Sequence, residues 1–203
     1  MKYDDARILV FCKAPIPGDV KTRLIPTLGD RGACDLHVEL ATRTLDVVQS
    51  AQLAPAQLWC APDTNHLFFT ERDEISLHQQ TGQDLGERMH QGLVSSLAES
   101  GVNLAILIGT DCPTIDEHYI DHALSTLADH DAVIGPAEDG GYGLIGLTKP
   151  ESDYFQGITW STSTVCEDTC ERFNRADLNW ALLPQIWDID RPEDIKRWRQ
   201  LHD

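Results

Sequence analysis

The sequence predicts an α/β protein built on a mostly parallel sheet. Short apolar runs alternate with segments of helical periodicity from end to end. The clearest run, Leu104–Ile108 (LAILI), is apolar at every position, as a strand covered on both faces must be. The 203 residues, 41% hydrophobic and 24% charged, suit a single globular domain spanning 1–203 that buries its own core.

The elements follow in order. Arg7–Lys13 reads as a buried strand, and the Pro15, Pro17 and Gly18 that follow exclude a regular element. From Asp30 to Gln52, Ala33, Leu36, Leu40, Leu45 and Val48 recur at helical spacing. Ala56–Cys60 is a second strand and Ile75–His78 a weaker third. Asp84–Ser100 is helical, with Leu85, Met89, Leu93 and Leu97 every four residues. After the Leu104–Ile108 strand, Asp116–Leu127 is helical. Asp131–Gly135 and Leu144–Leu147 return as strands, Thr164–Arg175 is helical, and a last helix starts near Pro192. In such sheets ligands bind beyond the carboxyl ends of the strands, so the loops after Lys13, Ile108 and Gly135 are the places to expect chemistry.

Composition narrows the partners. Sixteen Lys and Arg against 33 Asp and Glu leave a formal net charge of −17, which repels nucleic acid and anionic membranes alike. No apolar run approaches the ~20 residues of a membrane span, and the acidic start Met1-Lys2-Tyr3-Asp4-Asp5 does not resemble a secretory leader. The expected compartment is therefore the cytoplasm, where the six scattered cysteines stay thiols. Cys166 and Cys170, four apart, share a helix face. His37-Val38-Glu39 has the HxE of a zinc deaminase without its PCxxC, and HExxH and GxSxG are absent. Gly141–Gly146 matches GxGxxG by letter but leads into a β-like run, which excludes a dinucleotide fingerprint.

Five segments can carry chemistry. The loop after the first strand places Lys13, Lys21 and Arg23 within eleven positions of an otherwise acidic chain. Its Ala14, Pro17 and Gly18 backbone can face a phosphate, with Lys21 and Arg23 supplying charge. Asp111, in Gly109-Thr110-Asp111-Cys112-Pro113, follows the buried strand directly. It suits a hard cation held with phosphate oxygens, and equally a turn cap. Asp139-Gly140-Gly141-Tyr142 is hairpin-turn chemistry, yet its glycines also let a substrate lie against the backbone beside Asp139 as a base. Asp84, Gly86 and Arg88 open a helix whose free N–H groups favour anions, with Asp84 as an N-cap in the simpler reading. Near the C-terminus, Trp187-Asp188-Ile189-Asp190-Arg191-Pro192-Glu193-Asp194 places acids before a proline-started helix, with Asp190 as its cap or a second metal carboxylate there.

Taken together, these segments and Trp160-Ser161-Thr162 resemble the DUF2064 family of bacterial GT-A-type transferases. They are more distantly similar to 2-phospholactate and molybdenum cofactor guanylyltransferases. The resemblance runs from about Arg7 to Leu201. It implies a Rossmann-like GT-A fold with a mixed, mainly parallel sheet, a nucleotide bound over the first strand's loop, and Mg²⁺ or Mn²⁺. Asp111 matches the family's metal position. Asp190 matches the first Asp of a D-T-P-E-D motif, with Arg191 where Thr is usual. Lys21 and Arg23 match phosphate-contacting positions, in a loop that lacks the G-G-x-G start. The resemblance implies glycosyl transfer from a nucleotide-sugar to a small acceptor, with Asp139, Lys21 and Arg23 as catalytic residues. Lys13, Ala14, Pro17, Gly18, Asp84, Gly86 and Arg88 would bind nucleotide. Gly140, Gly141, Tyr142, Trp160, Ser161 and Thr162 would face the acceptor. Nucleotidyl transfer from an NTP to a phosphorylated metabolite is the alternative.

Overall fold

The computed structural model describes residues 1–200. Among them, seven strands form one sheet: β1 (Ala6–Lys13), β2 (Ala56–Ala61), β3 (Ser76–Gln79), β4 (Leu104–Gly109), β5 (Ala132–Pro136), β6 (Tyr142–Leu147) and β7 (Trp180–Leu182). Their order is β3-β2-β1-β4-β6-β5-β7. Every pairing is parallel except those of β6, which runs antiparallel between β4 and β5. The architecture is the mixed, mainly parallel α/β sheet that the sequence predicts.

Alternation along each strand builds a core on both faces. Ile8, Val10, Ile106 and Ile108 pack on one side with Ala41, Leu45 and Val48 of α1 (Ile25–Ala51) and Ile120, Leu124 and Leu127 of α4 (Glu117–Leu127). Leu9, Phe11, Ala105 and Leu107 pack on the other with Met89 and Leu93 of α3 (Leu85–Leu97) and Phe173 of α5 (Val165–Arg175). Because neither face of β1 or β4 meets water, their sequences are continuous apolar runs.

Three features depart from the sequence reading. The first helix begins at Ile25, with a break at Gly29 (φ 70°, ψ 167°); its regular part starts at Asp30, where periodicity places it. The short α2 (Leu67–Thr70) and β7 have no counterpart in the prediction. Four and three residues cannot show a period, and β7 is a partly exposed edge strand. The GxGxxG letters of Gly141–Gly146 lie almost entirely in β6, with no helix after them.

The antiparallel β6 matters for function. Antiparallel to both neighbours, it leaves β5 running in the direction of β4, so the β5–β6 connection, Ala137–Gly141, lies at the edge where β1, β2, β3 and β4 end. The exit of β7, parallel to β5, reaches the same edge. A third apolar cluster then fastens the chain's end: Trp187, Ile189, and Ile195 and Trp198 of α6 (Pro192–Gln200) pack on Leu24, Ala33, Leu36 and Leu40. The C-terminal segment is thereby laid across the loop after β1.

Candidate active site

The convergence is direct. Lys21 places Nζ 2.8 Å from Asp111 Oδ1 and donates a 2.5 Å hydrogen bond to the Ile189 carbonyl. The Ile189 N–H in turn donates to the Asp111 carbonyl at 3.0 Å. The Lys21 side chain is only 4% exposed, whereas that of Asp111 is 51% exposed with Oδ1 buried, so its other oxygen opens to solvent. Burial would raise the Asp111 pKa, but the Lys21 ammonium outweighs it, aided by His37 and Lys13, and the carboxyl stays ionised below the usual range. Arg23, 59% exposed, pairs with Asp190. Lys21 and Arg23 thus pair with the two acids for which the family resemblance implies a metal.

The third acid comes from the β5–β6 turn. Asp139 Oδ1 accepts the Gly141 N–H at 2.9 Å, so the hairpin-turn reading is realised. Gly140 is left-handed (φ +89°), and a Cβ there would stand 2.0 Å from the Ser163 carbonyl oxygen. The backbone at Gly140 is therefore filled by the start of α5, whose Cys166 N–H donates to the Gly140 carbonyl at 2.9 Å. Sequence reasoning expects an open backbone there; tight packing closes it at Gly140, while Gly141 meets only its own neighbour Asp139.

Asp188 is the residue that sequence reasoning undervalued. It makes no ion pair among the described residues. Burial first, then the Asp139 and Asp190 charges, push its carboxyl up to about 6 against the pull of Lys21. Cys112 lies among these groups: burial raises its thiol and the fields of Asp111, Asp188 and Asp139 add to that. The signal was present in Trp187-Asp188-Ile189-Asp190. Trp187 and Ile189 are buried at 5% and 0%, so an extended chain must turn both aspartates the other way.

Beside this acidic centre lies a cavity of about 330 Å³, beyond the ends of β1, β2 and β3. Lys13, Ala14, Ile16, Asp19, Val20, Gln80 and Arg88 line it. Gln80, absent from the sequence reading, donates its amide N–H to the Trp59 carbonyl at 2.8 Å and the Cys12 carbonyl at 3.4 Å, which leaves its Oε1 as a free acceptor. Buried His37 shares a 2.9 Å hydrogen bond with the Lys13 carbonyl and holds the loop's start; burial lowers its pKa.

The other predicted residues separate by role. Pro17 and Gly18 lie in the turn of the β1 loop, with Gly18 at φ +94°. Asp84 caps α3 by accepting the Glu87 N–H at 2.9 Å. Gly86 lies under the Trp160 ring, where a Cβ would be 2.5 Å from Cζ2, so its smallness serves packing. Tyr142 turns its hydroxyl into the protein, and burial drives its pKa well up. Ser161 and Thr162 are exposed, and Thr162 Oγ1 donates to the Thr159 carbonyl at 2.7 Å. All six cysteines are free thiols.

Comparison with known proteins follows the same outline. The DUF2064 profile, described as an uncharacterized protein conserved in bacteria, matches residues 44–162. The chain belongs to the DUF2064 family. A crystal structure from Desulfovibrio desulfuricans G20, provisionally described as a nucleotide-diphospho-sugar transferase, is 33% identical with a TM-score of 0.85. The match covers 93% of this chain and 83% of that one. The chain is also similar to 4-diphosphocytidyl-2C-methyl-D-erythritol synthase of Anaerococcus prevotii DSM 20548 (13% identity, TM-score 0.62, 98% and 97% covered). Likewise 2-C-methyl-D-erythritol 4-phosphate cytidylyltransferase of Thermus thermophilus gives 13% identity, TM-score 0.56 and 98% coverage of both chains. These last two share the fold. No curated protein matches the sequence. Among the described residues no helix is long and apolar enough to cross a membrane. The DUF2064 chain is thus a member of the nucleotide-diphospho-sugar transferase superfamily by sequence and by fold.

Proposed function

We propose that this DUF2064 protein is a divalent-cation-dependent glycosyltransferase that takes a nucleotide-sugar donor and a small hydroxyl acceptor. The observation that carries the reading is the meeting of Asp111, Asp139, Asp188 and Lys21 at one sheet edge, beside a cavity large enough for a nucleoside. Among the described residues no group of three or more His, Cys, Asp or Glu forms a ready ion cage. Mg²⁺ and Mn²⁺ can be held by only one or two carboxylates, with phosphate oxygens and water completing the shell. The donor set is all oxygen. Asp188, raised toward neutrality next to Asp139, is an acid short of positive charge. Asp111 with Asp188 or Asp190 would hold the cation, which when bound supplies charge to the departing diphosphate.

This chain's own residues do the rest. The cavity holds the nucleoside between Lys13, Gln80 and Arg88, and Lys21 and Arg23 receive the diphosphate. Asp139 keeps one oxygen on Gly141 and offers the other as a base for the acceptor hydroxyl. The basic loop would equally receive a pyrophosphate, so nucleotidyl transfer to a phosphorylated metabolite is the second reading.

Products decide between them. Purified protein with Mn²⁺ is given a panel of nucleotide-sugars with mixed small acceptors, and separately NTPs with phosphorylated metabolites. The expected result is nucleoside diphosphate released from a nucleotide-sugar, lost with EDTA or Asp111→Asn. Pyrophosphate from an NTP with every nucleotide-sugar untouched would overturn glycosyl transfer.

A further inference from the structure

We infer that Lys21 and Arg23 latch the acidic site against free cations, so that the site selects a cation–diphosphate complex over either component alone. The inference rests on the cation-dependent reading above and goes beyond it by naming the ligand species that the site admits.

Two ion pairs carry the argument. Lys21 holds Asp111 and Arg23 holds Asp190, across 90 and 167 residues of chain. The loop supplies both cations; the β4 exit and the C-terminal segment supply both acids. Lys21 is committed to this arrangement. Its side chain is buried, its Nζ lies 2.8 Å from the Asp111 carboxylate and donates to the Ile189 carbonyl at 2.5 Å, and its backbone is held left-handed at φ +48°, which disfavours a non-glycine residue. A surface lysine idling near an acid would show none of these.

The consequence is electrostatic. A lone divalent cation at Asp111 must displace the Lys21 ammonium and then face it, buried and without its carboxylate. A lone diphosphate at Lys21 and Arg23 must approach Asp111, Asp139, Asp188 and Asp190. Either arrival alone leaves groups without partners: the cation strands the buried Lys21 ammonium, and the diphosphate strands the carboxylates. When both arrive, the pairs exchange partners: carboxylates take the cation, and Lys21 and Arg23 take phosphate oxygens. Lys21, Arg23, Asp111 and Asp190 each then keep an opposite charge beside them, so each ligand strengthens the binding of the other by one common factor.

The test uses the whole protein, with Mn²⁺ and inorganic pyrophosphate as probes, read by calorimetry and by the Mn²⁺ electron paramagnetic resonance signal. Wild type should bind free Mn²⁺ weakly, and pyrophosphate should tighten that binding at least about tenfold, within the usual range of coupling between sites. Lys21→Met keeps the aliphatic stem and removes the charge. It should bind free Mn²⁺ at least fivefold tighter than wild type (~1 kcal/mol) and lose most of the pyrophosphate enhancement. Arg23→Gln, at a position 59% exposed, should move both quantities the same way by a smaller factor. It carries the test if Lys21→Met does not fold. If wild type binds Mn²⁺ while the variants bind it equally or more weakly, the latch is refuted and the cation reading survives. If no form binds Mn²⁺ with or without pyrophosphate, the cation reading itself fails, and the latch with it.

Discussion

Gly140→Ala is the sharpest test of how the acidic turn is held. The residue is left-handed at φ +89°, and an added Cβ would lie 2.0, 2.6 and 2.7 Å from the oxygen, carbonyl carbon and Cα of Ser163. All three are backbone atoms, so no side chain can swing aside. Relief requires the turn and the start of α5 to separate, which also stretches the 2.9 Å bond from the Cys166 N–H to the Gly140 carbonyl. A left-handed non-glycine costs about 1–2 kcal/mol and overpacking about 1–3 kcal/mol. The two overlap, because moving the backbone relieves both, so a loss of about 3 kcal/mol is expected. For a chain of this size that is a fall of roughly 6–12 °C in Tm. Urea and thermal melts followed by circular dichroism measure it. Gly141→Ala is the control: its φ is ordinary, and its Cβ would meet only the movable Asp139 carboxylate at 3.2 Å, so under about 1 kcal/mol should be lost. Equal melting of the two variants would refute the argument that Ser163 fastens the Asp139 turn.

Three further outcomes follow from the same contacts. Asp188, ordinarily near 3.8 and here near 6, keeps in the folded state a proton that the unfolded chain has lost between those values. Rising pH therefore costs stability through that window, on the order of 2–3 kcal/mol once above it. Without divalent cations, Asp188→Asn should be more stable than wild type at pH 7.5 and gain little at pH 4. His37 and His78, both lowered by burial, oppose this trend below 6.5 but cancel in the comparison, so parallel curves for the two proteins would count against the assignment. Gly86→Ala should cost about 1–3 kcal/mol by forcing the Trp160 ring away, and most of that should vanish in a Trp160→Leu background; an additive double variant would show that the ring is not the obstacle. Arg197 grips Glu138 at 2.7 and 3.0 Å and lies 4.2 Å from the Trp187 ring, tying α6 to the residues before Asp139 and Asp188. Its alanine variant should lower Tm more at low salt than in 1 M NaCl, where the exposed ion pair is screened, and a salt-independent loss would assign the effect to the ring contact alone.

Much of this protein is written in local pattern. The apolar runs of β1 and β4 declare strands buried on both faces, because a half-exposed strand would alternate. The spacing of Ala33, Leu36, Leu40, Leu45 and Val48 declares the regular part of α1, and Asp84 and Asp116 mark the starts of α3 and α4 by capping them. The motif order is sufficient to point to DUF2064, and the sheet edge where ligands gather follows from the α/β pattern alone.

Tertiary structure decided what those residues do to one another. Nothing in a sequence says that Lys21 will meet Asp111 or Arg23 meet Asp190, since pairs 90 and 167 residues apart depend on which loops a sheet order brings together. The Asp139-Gly140-Gly141 turn hints at an antiparallel hairpin, but nothing local says that β6 inserts between β4 and β5; that order leaves β5 parallel to β4 and so carries Asp139 to the acidic edge. Gly86 and Gly140 look like openings for a ligand; the Trp160 ring and the Ser163 backbone fill them. Asp188 stands two residues from Asp190 and has the same chemistry, but Arg23 reaches only Asp190, while Asp188 is left partly buried beside Asp139 with its carboxyl near 6. Residue type and spacing are properties of the chain, whereas charge compensation and burial depend on distances in space, and only the folded sheet sets those.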